Sequence, residues 1–253
     1  MYRALFRPVA TLLAPLLILL SSPSMANIPE DSTQLVLTLT GDWNAPTGHA
    51  FRFERRGDRW HQVGAETPVN VGRAGLGWGL GLHQPQPGLQ KVEGDGRAPA
   101  GIFLLGDAFG YGPKLQTGLG YQPMSKGHFC IDVKGSPYYN QTVDAGEVGA
   151  EAVQGSSEGM RRDLHYGDDQ YKKGIFVQHN PSNLDGAGSC IFIHLWSGQG
   201  EPTAGCTAYA EPEMDRLLAW LKSDAKPVYV ALPVPAYREL REEWQLPQVR
   251  WSQ

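Results

Sequence analysis

The sequence predicts a mainly-β fold with one principal α-helix, and three observations carry that expectation. First, 31 glycines and 19 prolines in 253 residues imply many turns and short strands rather than a helical bundle. Second, the apolar runs are short and mostly alternate with a period of two. Third, only one stretch, Glu211 to Ser223, repeats its apolar residues with helical spacing. A hydrophobic content of 41% and a charged content of 19% are those of a globular chain, far from the composition of disorder.

From the N-terminus, Arg3 and Arg7 precede the apolar run Ala10 to Leu20, and Ser24-Met25-Ala26 supplies a small-x-small cleavage pattern. Residues 1–26 therefore read as a secretory signal peptide, since about 11 apolar residues are too few for a spanning helix of about 20. Gln34 to Thr40 (QLVLTLT) alternates as a half-buried strand does. Ala50 to Glu54 and Arg59 to Val63 flank a turn at Gly57, as in a hairpin, and Val69 to Val71 reads as a further short strand. The glycine-rich stretch Gly72 to Gly81 lacks the helix a nucleotide-binding loop needs, and Gln84-Pro85-Gln86-Pro87 ends it. Lys91 to Phe103 is a turn-rich loop entering a strand, and Phe129 to Val133, Ile175 to Gln178 and Ser189 to His194 are strand candidates. Arg161 to Tyr171 reads as irregular. The helix carries Met214, Leu217, Leu218 and Leu221 on one face, and Pro227 follows it. Val228 to Leu232 is a closing strand, and Tyr237 to Trp244 a short terminal helix. The expected organisation is a domain over 27–235 with a tail over 236–253.

Net charge is -4 and there is no basic stripe, so nucleic acid is not an expected partner. Export implies an oxidising compartment, where cysteines pair, and the count is odd: Cys130, Cys190 and Cys206. At least one thiol is left over within the chain.

The segment Gly188 to Ala208 (GSCIFIHLWSGQGEPTAGCTA) brings His194 to a strand end, then a glycine-containing loop, then Gly205-Cys206. A thiolate is the reactive form of cysteine, and a nearby imidazole can take the proton. Gly205 is expected to give a backbone shape closed to other residues and to let main-chain N–H groups near Gly205 and Cys206 form an oxyanion hole. A zinc site built from Cys190, His194 and Cys206 is the rival chemistry, although the spacing matches no common closed site. Cys190 is either a buried small residue or half of a disulfide with Cys130. His179 orients substrate or His194, or has a hydrogen-bonded structural role. Asp95 between two glycines serves a turn. Arg161 and Arg162 either lie on a solvated face or pair with a substrate carboxylate. Trp196 is a cleft wall or core.

Taken together, these segments resemble the catalytic domain of the L,D-transpeptidase family (YkuD type). Thr203-Ala204-Gly205-Cys206 stands where that family has Ser-His-Gly-Cys, and Glu93 to Phe103 (EGDGRAPAGIF) resembles its GDGxTPxGxF/Y stretch. Ser136-Pro137-Tyr138-Tyr139-Asn140 and His179-Asn180 resemble segments of one branch, and all run in the family's order over residues 91–208. The resemblance implies a β-sandwich-like catalytic domain, Cys206 as nucleophile and His194 as its base. It places His179, Asn180, Thr203 and Tyr139 as substrate-binding candidates. It also implies that peptidoglycan stem peptides are the substrate, that no metal or organic cofactor is needed, and that the enzyme is a monomer in the periplasm or cell envelope. Cys130 and Cys190 are then dispensable for the chemistry. Two positions depart from the pattern: Ala204 replaces a histidine, and Ala208 an arginine that would hold substrate. Hydrolysis as an L,D-carboxypeptidase or amidase is therefore the alternative reaction, and a non-catalytic peptidoglycan-binding module the alternative class.

Overall fold

A computed structural model describes Met1 and residues 28–251, so the signal peptide expected over 1–26 falls almost wholly outside the described residues. The chain runs through β1 (Gln34–Thr40), β2 (Thr47–Arg56), β3 (Arg59–Gln62), β4 (Thr67–Asn70), β5 (Leu76–Trp78) and the long β6 (Ala98–Gly110). There follow β7 (Tyr121–Pro123), β8 (His128–Cys130), β9 (Thr142–Asp144), α1 (Ala145–Val148), β10 (Glu158–Gly159) and α2 (Arg162–His165). The last third holds β11 (Lys173–Val177), β12 (Phe192–Leu195), β13 (Thr207–Tyr209), α3 (Glu211–Trp220), β14 (Val228–Pro233) and α4 (Val234–Leu240).

The mainly-β expectation holds, but the sheet is not a sandwich. Its strands follow the order β1-β14-β6-β11-β12-β13-β4-β2, and β2 pairs back onto β1, so eight strands close into a barrel. β14 makes this possible by running parallel to β1 on one side and antiparallel to β6 on the other. Closure removes the free edges that a sandwich would leave.

Burial follows from closure. β1 alternates apolar and polar residues in sequence, yet all seven are buried. Its leucines Leu35, Leu37 and Leu39 belong to a layer with Phe51, Phe53, Ile102, Val230 and the indole of Trp244. Val36 points the other way, into a cluster fed by all eight staves, among them Ala50, Val69, Phe103, Ile175, Ile193, Tyr209 and Tyr229. That cluster is the barrel interior, and Met214, Leu217 and Leu218 of α3 pack into it. Helix α3 thus buries the face its spacing predicted, ending at Trp220 rather than Ser223 because Leu221 turns extended. The terminal segment expected as a tail over 236–253 is integral to the outer layer: Tyr237, Leu240, Trp244 and Leu246 are all buried there.

Between β7 and β11 the chain leaves the barrel and forms a cap. Its three short strands pair in the order β10-β8-β9. A disulfide joins Cys130 at the end of β8 to Cys190 just before β12, which resolves the cysteine alternatives. It also ends the zinc reading, since one proposed ligand is consumed and no cluster of three ligating side chains exists among the described residues. Ser189 to Ile191 is not strand, because Cys190 takes a left-handed backbone (φ 57°) to meet its partner. A chain cross-linked across 60 residues loses loop entropy in its unfolded state worth about 4 kcal/mol. The double variant Cys130→Ser/Cys190→Ser is expected to melt roughly 10 °C lower in calorimetry, with a barrel that still folds. An unchanged melting temperature would mean that the cap adds nothing to the fold.

Candidate active site

Cys206 is the free cysteine and sits where the cap meets the barrel wall. Its side chain packs with Met124, Met160, Tyr171, Phe192 and the Cys130–Cys190 pair, and only 7% of the residue is exposed. Its Sγ accepts from the Phe192 N–H at 3.3 Å and lies 3.5 Å from the Cys190 carbonyl. Burial, and next the charge of Glu158, push the thiol up to about 12, so the resting group is a protonated thiol.

His194 lies on β12, between Gly174 of β11 and Ala208 of β13, and is 3% exposed. Its Nδ1 is 2.7 Å from the Leu195 carbonyl, an acceptor only. The proton therefore resides on Nδ1, and Nε2 is left as the lone-pair nitrogen that a base requires. Burial lowers the imidazole to about 4, so it is neutral at physiological pH. No hydrogen bond joins Cys206 to His194 among the described residues; Tyr171 packs in the same cluster as Cys206, and its ring stands 5.1 Å from the imidazole.

The loop before Cys206 is pinned by residues that sequence spacing does not single out. Asn70 donates to the carbonyls of Gly198 and Glu201, both at 2.8 Å, and accepts from the Gly200 N–H. Thr203 is tied into the loop: its hydroxyl donates to the Cys206 carbonyl at 2.6 Å and accepts the Gly205 N–H at 3.1 Å. This corrects the oxyanion expectation, because the Gly205 amide is already engaged and only that of Cys206 remains a candidate. It also corrects the role of Gly205. Its φ is not positive, and glycine is needed because a Cβ there would come within 3.0 Å of the Arg97 carbonyl.

The other candidate positions are hydrogen-bonded within the fold. His179 is buried, with Nδ1 accepting the Leu80 N–H and Nε2 on the Ala187 carbonyl. Asn180 is fully buried and spends its amide on Leu184 and Gly188. The Tyr139 hydroxyl donates to Glu93 at 2.6 Å and accepts the Gly188 N–H. Glu93 also accepts from Ser189 at 2.6 Å, so this carboxylate ties three loops together. Asp95 serves its turn by accepting the N–H groups of Val92 and Arg97, and it forms a buried ion pair with Lys91 at 2.6 Å. Arg161 and Arg162 are held by Asp163 and Asp168, Arg162 bidentately at 2.7 Å. Trp196 is only partly buried, at the start of the loop that leads to Cys206. Ala208, where the resembled family has arginine, is fully buried in the wall.

Three histidines share one consequence. Burial holds His83, His179 and His194 at about 4, below the 6.5 of an unfolded chain. The stability they represent is present above about 6.5 and is lost as pH falls toward 4. Glu158, raised to about 7 by burial, acts in the opposite direction between 4.5 and 7. Unfolding near pH 5 is therefore expected to take up about two protons net, and stability to fall by up to about 3 kcal/mol per pH unit on acidification. Denaturant titrations at pH 7, 6 and 5 check the sign, and equal midpoints would refute it.

No family model matches the chain, and no curated protein matches it. Among solved structures it is similar to the helical cell shape determining protein Pgp2 from Campylobacter jejuni, at 16% identity and a TM-score of 0.38 over 79% of this chain and 48% of that one. It is also similar to Bd1075 of Bdellovibrio bacteriovorus, at 13% identity and a TM-score of 0.39 over the same shares of the two chains. The chain spans about half the length of the solved structures it resembles.

Proposed function

We propose that the protein is an exported cysteine acyltransferase of the L,D-transpeptidase type, acting on peptidoglycan stem peptides. One observation carries this reading. The four sequence segments that resemble the family, far apart in the chain, are joined around a single free thiol. Glu93 accepts from Tyr139, Asn140 accepts the Cys190 N–H at 3.0 Å, Asn140 also donates to the carbonyls of His179 and Asn180, and Gly205 fits under Arg97.

In this mechanism His194 Nε2 takes the Cys206 proton and the thiolate adds to the carbonyl preceding the terminal D-amino acid of a stem peptide. The Cys206 N–H stabilises the oxyanion. The imidazolium returns its proton to the departing amine, leaving a thioester. An amine acceptor, or water, then releases the acyl group and regenerates the thiol.

Hydrolysis and exchange compete with cross-linking here, because Ala208 offers no guanidinium to hold a bulky second peptide. Tetrapeptide muropeptides incubated with the protein and a free D-amino acid are expected to give exchanged or shortened peptides in excess of cross-linked dimers by mass spectrometry. Dimers dominating both with and without the D-amino acid would refute the argument from Ala208. No product of any kind would refute the acyltransferase itself.

A further inference from the structure

Glu158 is a carboxyl close to Cys206 that burial raises to about 7, so near neutral pH only part of the molecules carry it as the carboxylate. It lies on β10 directly opposite Cys130, at the inner edge of the cap. Its Oε2 accepts from the Tyr171 hydroxyl at 2.6 Å, while Oε1 takes no hydrogen bond among the described residues. Arg162, whose charge favours the carboxylate from a distance, spends its hydrogen bonds on Asp168, and Lys91 spends its own on Asp95 and the Val92 carbonyl. Tyr171, in turn, packs against both Cys206 and the His194 ring. A lone carboxylate here opposes formation of the thiolate, and after burial it is the largest influence keeping Cys206 protonated. Left unpartnered, it would only hinder the chemistry the site is built for.

We propose that Glu158 is a specificity-determining residue whose free Oε1 receives a primary ammonium carried by the acyl donor. An ammonium brings up to three donors and one positive charge to an oxygen that has no hydrogen-bond partner among the described residues. Docking it cancels the field that disfavours the thiolate, so a donor of the right charge activates its own nucleophile. A donor without the ammonium leaves Cys206 as an inert, shielded thiol. This deepens the acyl-transfer reading and rests on it for the identity of the donor as a stem peptide.

Two synthetic tetrapeptides test it, L-Ala-γ-D-Glu-L-Lys-D-Ala and the same peptide acetylated on the lysine side-chain nitrogen. D-alanine release by the wild type and by Glu158→Gln is compared with calorimetric affinity for Cys206→Ala and for Cys206→Ala/Glu158→Gln. Glutamine keeps an acceptor for Tyr171, so the fold is retained while the charge goes. The wild type is expected to favour the free amine by about tenfold or more in kcat/KM, as a partly desolvated charge pair does. Glu158→Gln should treat the two peptides alike. Equal rates with the wild type, or a preference that survives in Glu158→Gln, would overturn the role of Glu158 and leave acyl transfer standing. Binding to Cys206→Ala that discriminates between the peptides, without turnover by the wild type, would overturn acyl transfer and leave Glu158 as a recognition group. If neither peptide binds or reacts, both fall.

Discussion

Replacing Cys206 by alanine is expected to abolish covalent acylation. After incubation with a carbapenem β-lactam, intact-mass analysis should show one adduct on the wild type and none on Cys206→Ala. The expectation follows from the arithmetic of the cysteines: two are joined to each other and one is free. The free thiol is held up to about 12 by burial and by Glu158, so only on the order of 10⁻⁵ of the resting molecules are thiolate at pH 7. A generic alkylating agent that brings no activating contacts should therefore react slowly with the folded protein and readily once it is unfolded. The contrast separates a shielded nucleophile from an exposed surface thiol. An adduct that persists on Cys206→Ala would place the nucleophile elsewhere.

The second large effect is expected at His194. His194→Ala should leave a folded protein and lower the acylation rate by about two to four orders of magnitude, as loss of a general base does. Its Nδ1 is anchored on the Leu195 carbonyl, which leaves Nε2 unprotonated and fixes the plane of the ring. Because burial lowers the imidazole to about 4, the base form prevails at all pH values above roughly 5, and the acid limb of the rate should lie low. Stopped-flow acylation across pH 4 to 8 measures both quantities. Near-normal acylation by folded His194→Ala would assign the base elsewhere, but not to His179, both of whose nitrogens are hydrogen-bonded to main chain.

Helix α3 and the odd cysteine were legible in the sequence, because a helical period is a local pattern and three cysteines cannot all pair within one chain. The barrel was not, since closure depends on β1 pairing with β14 from the far end of the chain, and no local spacing encodes that. The alternation in β1 was read as one wet face, whereas Gln34 is buried and satisfied by the Trp220 carbonyl and the Lys222 N–H. Thr203, Tyr139, His179 and Asn180 were found as positions but not as roles. A motif residue that shapes a loop and one that touches substrate look alike until their hydrogen bonds are counted. Glu158 and Asn70 gave no signal at all, since one glutamate in a polar loop and one asparagine at a strand end are unremarkable until the fold brings them to the site.

The position of β14 sets a timetable for the molecule. A ribosome or a translocation channel delivers the chain from the N-terminus, yet the stave between β1 and β6 is made almost last. Until residues 228–233 emerge, β1 and β6 each present an unsatisfied edge, and the barrel interior stays open. Folding is therefore governed by contacts of very large sequence separation, which makes it slow and leaves a long interval of exposure to self-association. A chain that stops short of β14 should be met by chaperones and proteases as an open ribbon rather than as a smaller closed barrel.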